Sequence, residues 1–389
     1  MSQDKPPINW KTTLFLLATF LISVIGVPWF ISRYGFHAFD LVHFLVMAYA
    51  TGLAITVGYH RLFAHRSFQA RKAVRVITGL FAAATFENSI LTWASEHRYH
   101  HKYVDRDGFP YDPYNINKGF FHAHMGWLLR EQSPKMDRSN VADLEKDPFV
   151  RWQDRHIHAL MIAMGLLLPI LVGVIQGLLS GRPLFQAALA GFLFGGVARV
   201  VFVHHGTFFI NSLCHFLGRR PYDSGTTARD SGLVAFFTYG EGYHNYHHTF
   251  PGDYRNGIRA WHFDPGKWVI WLLEKTRLAW SLKRVPEETV QMARLKEQRR
   301  RLEHSLTTRL EDLRSQASEM LLGLEQRLEL LHARARQLWS EHHALRSQPR
   351  VERRPRLQEL KREARQLRLE FMAELANWRQ AAAALRATA

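Results

Sequence analysis

Residues 241–248 read EGYHNYHH, which places His244, His247 and His248 at i, i+3 and i+4. On a helix those three imidazoles project from one face. Imidazole is the commonest side-chain metal ligand near neutral pH, and three together with no cysteine nearby suit a borderline first-row ion such as iron. A hydrogen-bonded surface patch is the bland alternative. Two further boxes weigh against it: HRYHH repeats the spacing at His97, His100 and His101, and HRLFAH supplies His60 and His65. In NSLCH, Asn211 and His215 stand at i, i+4, so one helix face aims an amide and an imidazole the same way. His204 and His205 lie two turns earlier and are set aside as too deep in the apolar run or on its wrong side. The nine histidines that remain exceed the roughly six ligands one ion accepts, so two ions are expected. Two adjacent irons can activate O2, although copper or zinc would also accept these ligands.

The elements that must bring these residues together are mostly apolar helices. Residues 14–31, 39–59, 159–179 and 184–207 form runs long enough to cross a hydrocarbon core of ~30 Å. No small-residue cleavage site follows the first run, which reads as a retained span rather than a secretory signal. The first box sits where the second span ends. Its two histidines are five apart, about 140° on an ideal helix, so the helix must end or bend there for both to reach one centre. The stretch 74–94 is apolar, but Arg75 and Glu87 leave only eleven uncharged residues between them. That is too short to cross, and a crossing would put the first two boxes on opposite sides of the bilayer. An interfacial helix is expected instead.

Segments 60–158 and 208–282 are polar, aromatic and turn-rich, and read as a cap on one membrane face. Lys and Arg crowd 61–155, whereas the opposite turns carry only Arg33 and Arg182, so the cap, both termini and all boxes are expected in the cytoplasm. The net charge of +17 suits an anionic membrane surface, and no nucleic-acid motif accompanies it. The single cysteine, Cys214, rules out a disulfide framework. The aromatic stretch 268–280 reads as an interfacial helix. From 283 to 389 the composition changes to Arg, Glu, Leu and Ala. Leu310, Ala317, Leu324, Leu331, Leu338 and Leu345 recur every seven residues, flanked by Leu306, Leu313 and Met320. After Pro349 and Pro355 a second register follows at Leu357, Ala364, Phe371, Trp378 and Leu385. The expectation is an antiparallel, coiled-coil-like helical hairpin serving self-association or partner docking. The fold class is thus an all-α membrane protein: four transmembrane helices (domain 1–282), a helical cytosolic cap holding the metal site, and a helical tail.

The boxes HRLFAH, HRYHH and GEGYHNYHH, with NSLCH between the last two, resemble the integral-membrane fatty acyl desaturases, in particular the stearoyl-CoA (delta-9) desaturase-like group of bacterial type. The flanks WASEH, HKYVDRDGFPYDPYN, GFFHAHMGWLL and HHTFPGDYRNG agree, and the likeness covers about residues 10 to 280. It implies an O2-dependent diiron oxidoreductase that takes two hydrogens from a saturated acyl chain, with two electrons from a donor. By resemblance His60, His65, His97, His100, His101, His215, His244, His247 and His248 map onto the iron ligands, Asn211 onto a residue that reaches iron through water, and Trp93 onto a tunnel-lining position. The membrane implied is a bacterial inner membrane with the site facing the cytoplasm.

That implication agrees with the chemistry. An aliphatic C–H bond is neither acidic nor polar, so a metal-bound oxidant must attack it while the protein positions the chain and excludes water. Successive methylenes are chemically alike, so selectivity must come from the shape of the channel. No fused haem-binding segment is visible, and a separate ferredoxin-like or other reductase-linked carrier is expected to meet the basic cap. CoA, phospholipid and acyl carrier protein remain open as head group. Other readings are a diiron fatty-acid or alkane hydroxylase and a non-enzymatic metal transporter. Glu96 and Glu241 are expected to fix imidazole tautomers, Arg98 to orient carboxylates or meet a head group, and His124 to order the cap.

Overall fold

The computed structural model describes residues 6–131, 137–306, 311–345 and 350–388, with side chains described throughout except at 304–306, 311–317, 350–353 and 385–388. Two compact units result, Met1–Arg220 with Gly225–Arg284, and Pro221–Ser224 with Val285–Ala389.

In the first unit, α1 (Trp10–Tyr34) and α2 (Ala38–Ala64) are long and apolar enough to cross a membrane. Next come α3 (Lys72–Ala83) and α4 (Ile90–Tyr103). The stretch expected to form one interfacial helix is therefore two. They break at a turn where Phe86 and Asn88 adopt φ of +63° and +72°, a left-handed conformation that no helix continues through. Neither is among the four spans, which are completed by α5 (Ile157–Ser180) and α6 (Leu184–Phe216). These helices outrun the apolar segments, α2 by five residues and α6 by nine. Packing on the cap continues to support helical backbone after the hydrocarbon ends, so boundaries drawn from hydropathy fall short.

Each span also contains a π-helical stretch, at Ile22–Gly26, Ala54–Ala64, Ala163–Leu167 and Gly191–Ala198. Between α5 and α6 the backbones nearly touch: a Cβ on Gly173 would lie 2.3 Å from Ala187 O, and one on Gly191 2.4 Å from Pro169 O. Such approaches are how apolar helices associate where lipid offers no hydrophobic driving force. Arg182, in the α5–α6 turn, makes a bidentate ion pair with Asp40 at 2.8 and 3.1 Å. Asp40 lies twenty residues before His60 on α2, so this pair sits about 30 Å from the histidine end.

The cap is closed by α7 (His244–Thr249) and by α8 (Pro265–Lys275), whose first turn is capped by Asp264 accepting from the Lys267 N–H. The aromatic stretch expected to be helical to Trp280 stops at Lys275. Arg277 takes φ +59°, and the chain turns into β2 (Ala279–Trp280), which pairs antiparallel with β1 (Gln69–Ala70). One apolar cluster ties α2, α4 and α8 together through Tyr59, Phe63, Ile90, Leu91 and Ile270.

The second unit contains α9 (Glu287–Leu306), α10 (Glu311–Ala344) and α11 (Arg350–Thr388). Ion pairs Arg327–Glu374 and Arg334–Glu363 run in opposite directions along α10 and α11, so these two are antiparallel. The expected hairpin is joined by a third helix, because Met292, Leu295 and Leu302 of α9 enter the core of Leu321, Leu328, Phe371, Leu375 and Trp378. Pro355 lies inside α11 and does not end it. Leu310 and Pro349 fall outside the described residues, as do the side chains of Leu306, Leu313, Ala317 and Leu385.

Candidate metal centre

The first histidine pair meets through an unusual winding of α2. The π-helical residues Ala54–Ala64 end with His65 N–H donating to His60 O at 3.0 Å. An i→i+5 bond sets residues five apart above one another, and the two rings lie with centroids 4.8 Å apart. The end or bend expected from the five-residue spacing takes the form of a wider last turn: α2 ends at Ala64 and His65 is its C-cap. α4 presents His97, His100 and His101 at ordinary helical spacing, α7 presents His244, His247 and His248, and the last turn of α6 brings His215.

Nine histidines from four helices form two groups. His60, His65, His97, His101 and His247 make one, and His100, His215, His244 and His248 the other; within each group the ligand atoms lie within 4.8 Å of one another. In the first, His247 Nε2 is 3.0 Å from His60 Nε2 and 2.9 Å from His101 Nε2, while His65 and His97 approach to 2.8 Å. In the second, His248 Nε2 stands 3.2 Å from His100 and 3.1 Å from His244, and His215 Nε2 is buried with no hydrogen-bond partner among the described residues. So many nitrogen lone pairs facing each other suit a cation between them, and the residues fit a metal pair. Their protonation state agrees. Burial, then the charge of neighbouring imidazoles, holds His65, His97, His101, His244, His247 and His248 well below the usual imidazole range.

That shift has a consequence for the metal-free protein. With folded-state values below the unfolded value of about 6.5, the unfolded chain binds more protons at acid pH, so stability is complete above that pH and is lost below it. Apo-protein should therefore unfold progressively as pH falls below about 6.5, and metal-loaded protein should resist to lower pH. Unfolding midpoints of both forms between pH 7 and 5 measure this; identical profiles count against it.

Carboxylates orient one histidine in each group. Glu241 Oε2 is 3.2 Å from His60 Nδ1, and Glu241 also accepts from Thr56, Asn256 and Arg61. Burial pushes this acid up, but His60 and Arg61 outweigh it and hold it well below the ordinary carboxylate range. Arg61 reaches on to Asp264 at 2.9 Å and Tyr254 O at 2.9 Å. In the second group Asp112 Oδ1 lies 2.8 Å from His100 Nδ1 and accepts the Tyr114 N–H, while its Oδ2 accepts that of Asp105. His215 Nδ1 pairs with Thr227 Oγ1 at 2.8 Å. Glu241 was legible beside its box. Asp112 and Thr227 were not, since each lies twelve residues from the imidazole it meets, in a loop without periodicity. Replacing Asp112 by Asn removes the charge that fixes the His100 tautomer and should weaken metal retention about 10- to 100-fold, measurable by competition with a chelator.

Other expected residues fall elsewhere. Glu96 does not join Glu241; it lines a cavity, and burial raises its pKa to about 7 against the pull of Arg138. Arg98 is a strut, donating to Asp143 and to the carbonyls of Phe63, Ala64 and Asn140. His124 links Ser212 at 2.9 Å to His205 at 3.0 Å, and His204 meets Thr85 O at 2.6 Å; none of the three joins a nitrogen group. The cavity has a volume of about 530 Å³, touches His60 and His97, and continues past Phe15, Trp93, Met161 and Tyr239. Asn211 lines it too. The Trp93 ring stacks on His97 with centroids 4.8 Å apart, and its Nε1 donates to Glu87 at 3.2 Å. Burial raises the Glu87 pKa to about 7, opposed by hydrogen bonds from Thr207 and Trp93.

Residues 38–275 match the sequence profile of the family described as fatty acid desaturase. The chain is 41% identical over 290 residues to a "Probable acyl-CoA desaturase" of Schizosaccharomyces pombe, covering 73% of this chain and 57% of that protein. It is 36% identical over 301 residues to "Acyl-CoA desaturase 1" of Saccharomyces cerevisiae, covering 76% and 56%. "Acyl-CoA desaturase 1" of Tachysurus fulvidraco is 33% identical over 300 residues, covering 75% and 85%. The chain thus spans a little over half the length of the two yeast relatives. The bacterial grouping expected from the sequence is not borne out, since these relatives are fungal and animal. Histidine boxes follow from metal chemistry and carry no lineage.

Proposed function

The chain belongs to the fatty acid desaturase family, and from that membership we propose that it inserts a cis double bond, near carbon 9, into a saturated acyl chain with O2 and two electrons. The observation that carries this is the apolar cavity running directly up to His60 and His97, beneath the first nitrogen group. His60, His65, His97, His101 and His247 would hold one iron, and His100, His215, His244 and His248 the other, with Asn211 joining through water. When bound, the iron pair supplies the oxidant derived from O2 that aliphatic C–H cleavage demands. Everything else falls to this chain. The cavity walls exclude water and hold the acyl chain extended past Trp93, whose ring is kept in place by His97 and Glu87. Glu241 and Asp112 hold the Nδ1 protons of His60 and His100, so each Nε2 lone pair stays turned inward.

The relatives are named as acyl-CoA desaturases, and an acyl-CoA substrate is part of the proposal. So is a cytosol-facing site, supported by the basic residues of the cap. Electrons arrive from a protein carrier of the ferredoxin or a similar reductase-linked type. The helical tail serves pairing between copies or docking of a partner. Expression in a host unable to make unsaturated lipids, followed by fatty-acid analysis, tests the activity, bond position and chain length at once. Growth with an alkene at one position supports the reading; hydroxylated chains without alkene would replace it with a hydroxylase.

A further inference from the structure

The wall of the cavity depends on a turn that the metal ligands do not touch. α3 ends at Ala83, deep against the spans: a Cβ on Gly165 of α5 would lie 2.4 Å from the Phe86 ring and 3.0 Å from Ala84 O. Carbonyls past a helix end have no following helical N–H, and among apolar spans no bulk water replaces it. Two side chains of α6 satisfy them. Arg199, fully buried, donates through Nη1 to Ala84 O at 2.7 Å, through Nη2 to Gly165 O at 2.8 Å and through Nε to Gly195 O at 3.0 Å. His204 meets Thr85 O at 2.6 Å. One turn further, Thr207 donates to Glu87 at 2.9 Å, and from α2 Tyr59 donates to Asn88 O at 3.0 Å.

The turn is costly to hold by itself, because Phe86 and Asn88 both have positive φ. It is also where the cavity takes its shape: Phe86, Glu87 and Asn88 all line it, and Glu87 accepts from Trp93 Nε1. Among the described residues Arg199 donates to carbonyls alone, and one of them, Ala84 O, follows the negative end of α3, a favourable place for a cation.

We propose that Arg199 and His204 are positioning residues. By capping the carbonyls of Ala84 and Thr85 they hold the 84–88 turn and, through Glu87, the Trp93 ring. On the desaturase reading they thereby decide which carbons of a bound chain lie beside the metal groups. They act on position, not on the oxidation itself, so weakening them spreads the site of oxidation along the chain before it abolishes oxidation.

The test compares His204→Leu with His204→Gln in the full-length chain. Gln keeps an N–H donor at similar reach, and Leu does not. Hydrogen exchange of the 84–95 peptide in detergent and double-bond position in the expressing host are both read. His204→Leu should speed exchange at the turn about tenfold or more and add neighbouring double-bond isomers to the product, and His204→Gln should restore both. Unchanged exchange and a single product position in His204→Leu overturn the proposal, as does an equal shift in both variants. If His204→Leu does not accumulate, His204→Asn replaces it: an amide one methylene short of Thr85 should give faster exchange than Gln, and equal exchange overturns the proposal. Should the unaltered chain form no alkene, the desaturase reading fails, and the exchange comparison alone still decides whether the His204 contact to Thr85 O holds the turn.

Discussion

Replacing His247 with Ala is expected to reduce alkene formation on the order of 10³-fold or more and to lower bound iron from two per chain toward one. In the first group this imidazole is central: its Nε2 faces those of both His60 and His101, at 3.0 and 2.9 Å, and the side chain is buried. Alanine removes the nitrogen where ligands from α2, α4 and α7 meet, and leaves an apolar hole that cannot coordinate. His156→Ala serves as the control, since that ring is outside both groups and its contacts are with Trp152, its Nδ1 with Trp152 O at 2.8 Å and its ring with the indole at 5.2 Å between centroids. Iron analysis, fatty-acid profiling and an unfolding midpoint should separate the two variants. Normal iron content and normal product in His247→Ala would remove the basis for the proposed centre.

The second large effect is on stability. Arg61 is 1% exposed and stands between two buried carboxylates, 3.1 Å from Glu241 and 2.9 Å from Asp264. Removing one partner of a buried ion pair strands the other in a poorly solvated place, which typically costs ~3–5 kcal/mol. Arg61→Ala strands two. The chain should lose most of its folded population in detergent, visible as a lowered unfolding midpoint and faster proteolysis of the cap. Because Glu241 also orients His60, the variant that survives should lose iron more readily. A double variant, Arg61→Met with Glu241→Gln, should recover part of the stability without recovering tight metal binding, because it removes one of the two stranded charges, leaving Asp264, but not the need for a carboxylate at His60. Stability equal to the unaltered chain in Arg61→Ala would show that the network contributes little.

Both expectations depend on placement that differs in how far the sequence foretold it. Every histidine of the two groups could be singled out beforehand, since the i, i+3, i+4 spacing of two boxes is a local property of helical geometry and HRLFAH and NSLCH supply further imidazoles of the same chemistry. The four spans were readable for a similar reason: hydropathy over eighteen or more residues is a sum that no distant contact can cancel. Their ends were less so, because a helix leaving lipid is prolonged by whatever it packs against. α6 runs nine residues past its apolar run and carries His215 with it.

Three features belong to the tertiary structure alone. The division of nine imidazoles into a group of five and a group of four follows from how α2, α4, α6 and α7 meet, and His100 parts from His97 and His101 although all three share one box. The π-helical end of α2 exchanges intrahelical bonding for alignment of His60 with His65, an exchange that only surrounding packing can support. Asp112, Arg61, Arg199 and His204 take their roles from partners between 12 and 180 residues away or more. Ligand types and helix periods are written in neighbouring residues, and so the sequence by itself determined the chemistry and the membrane elements. The oriented carboxylates, the two-group arrangement and the turn that shapes the cavity arise where distant segments must satisfy each other's buried charges and carbonyls. That condition exists only once the chain has folded.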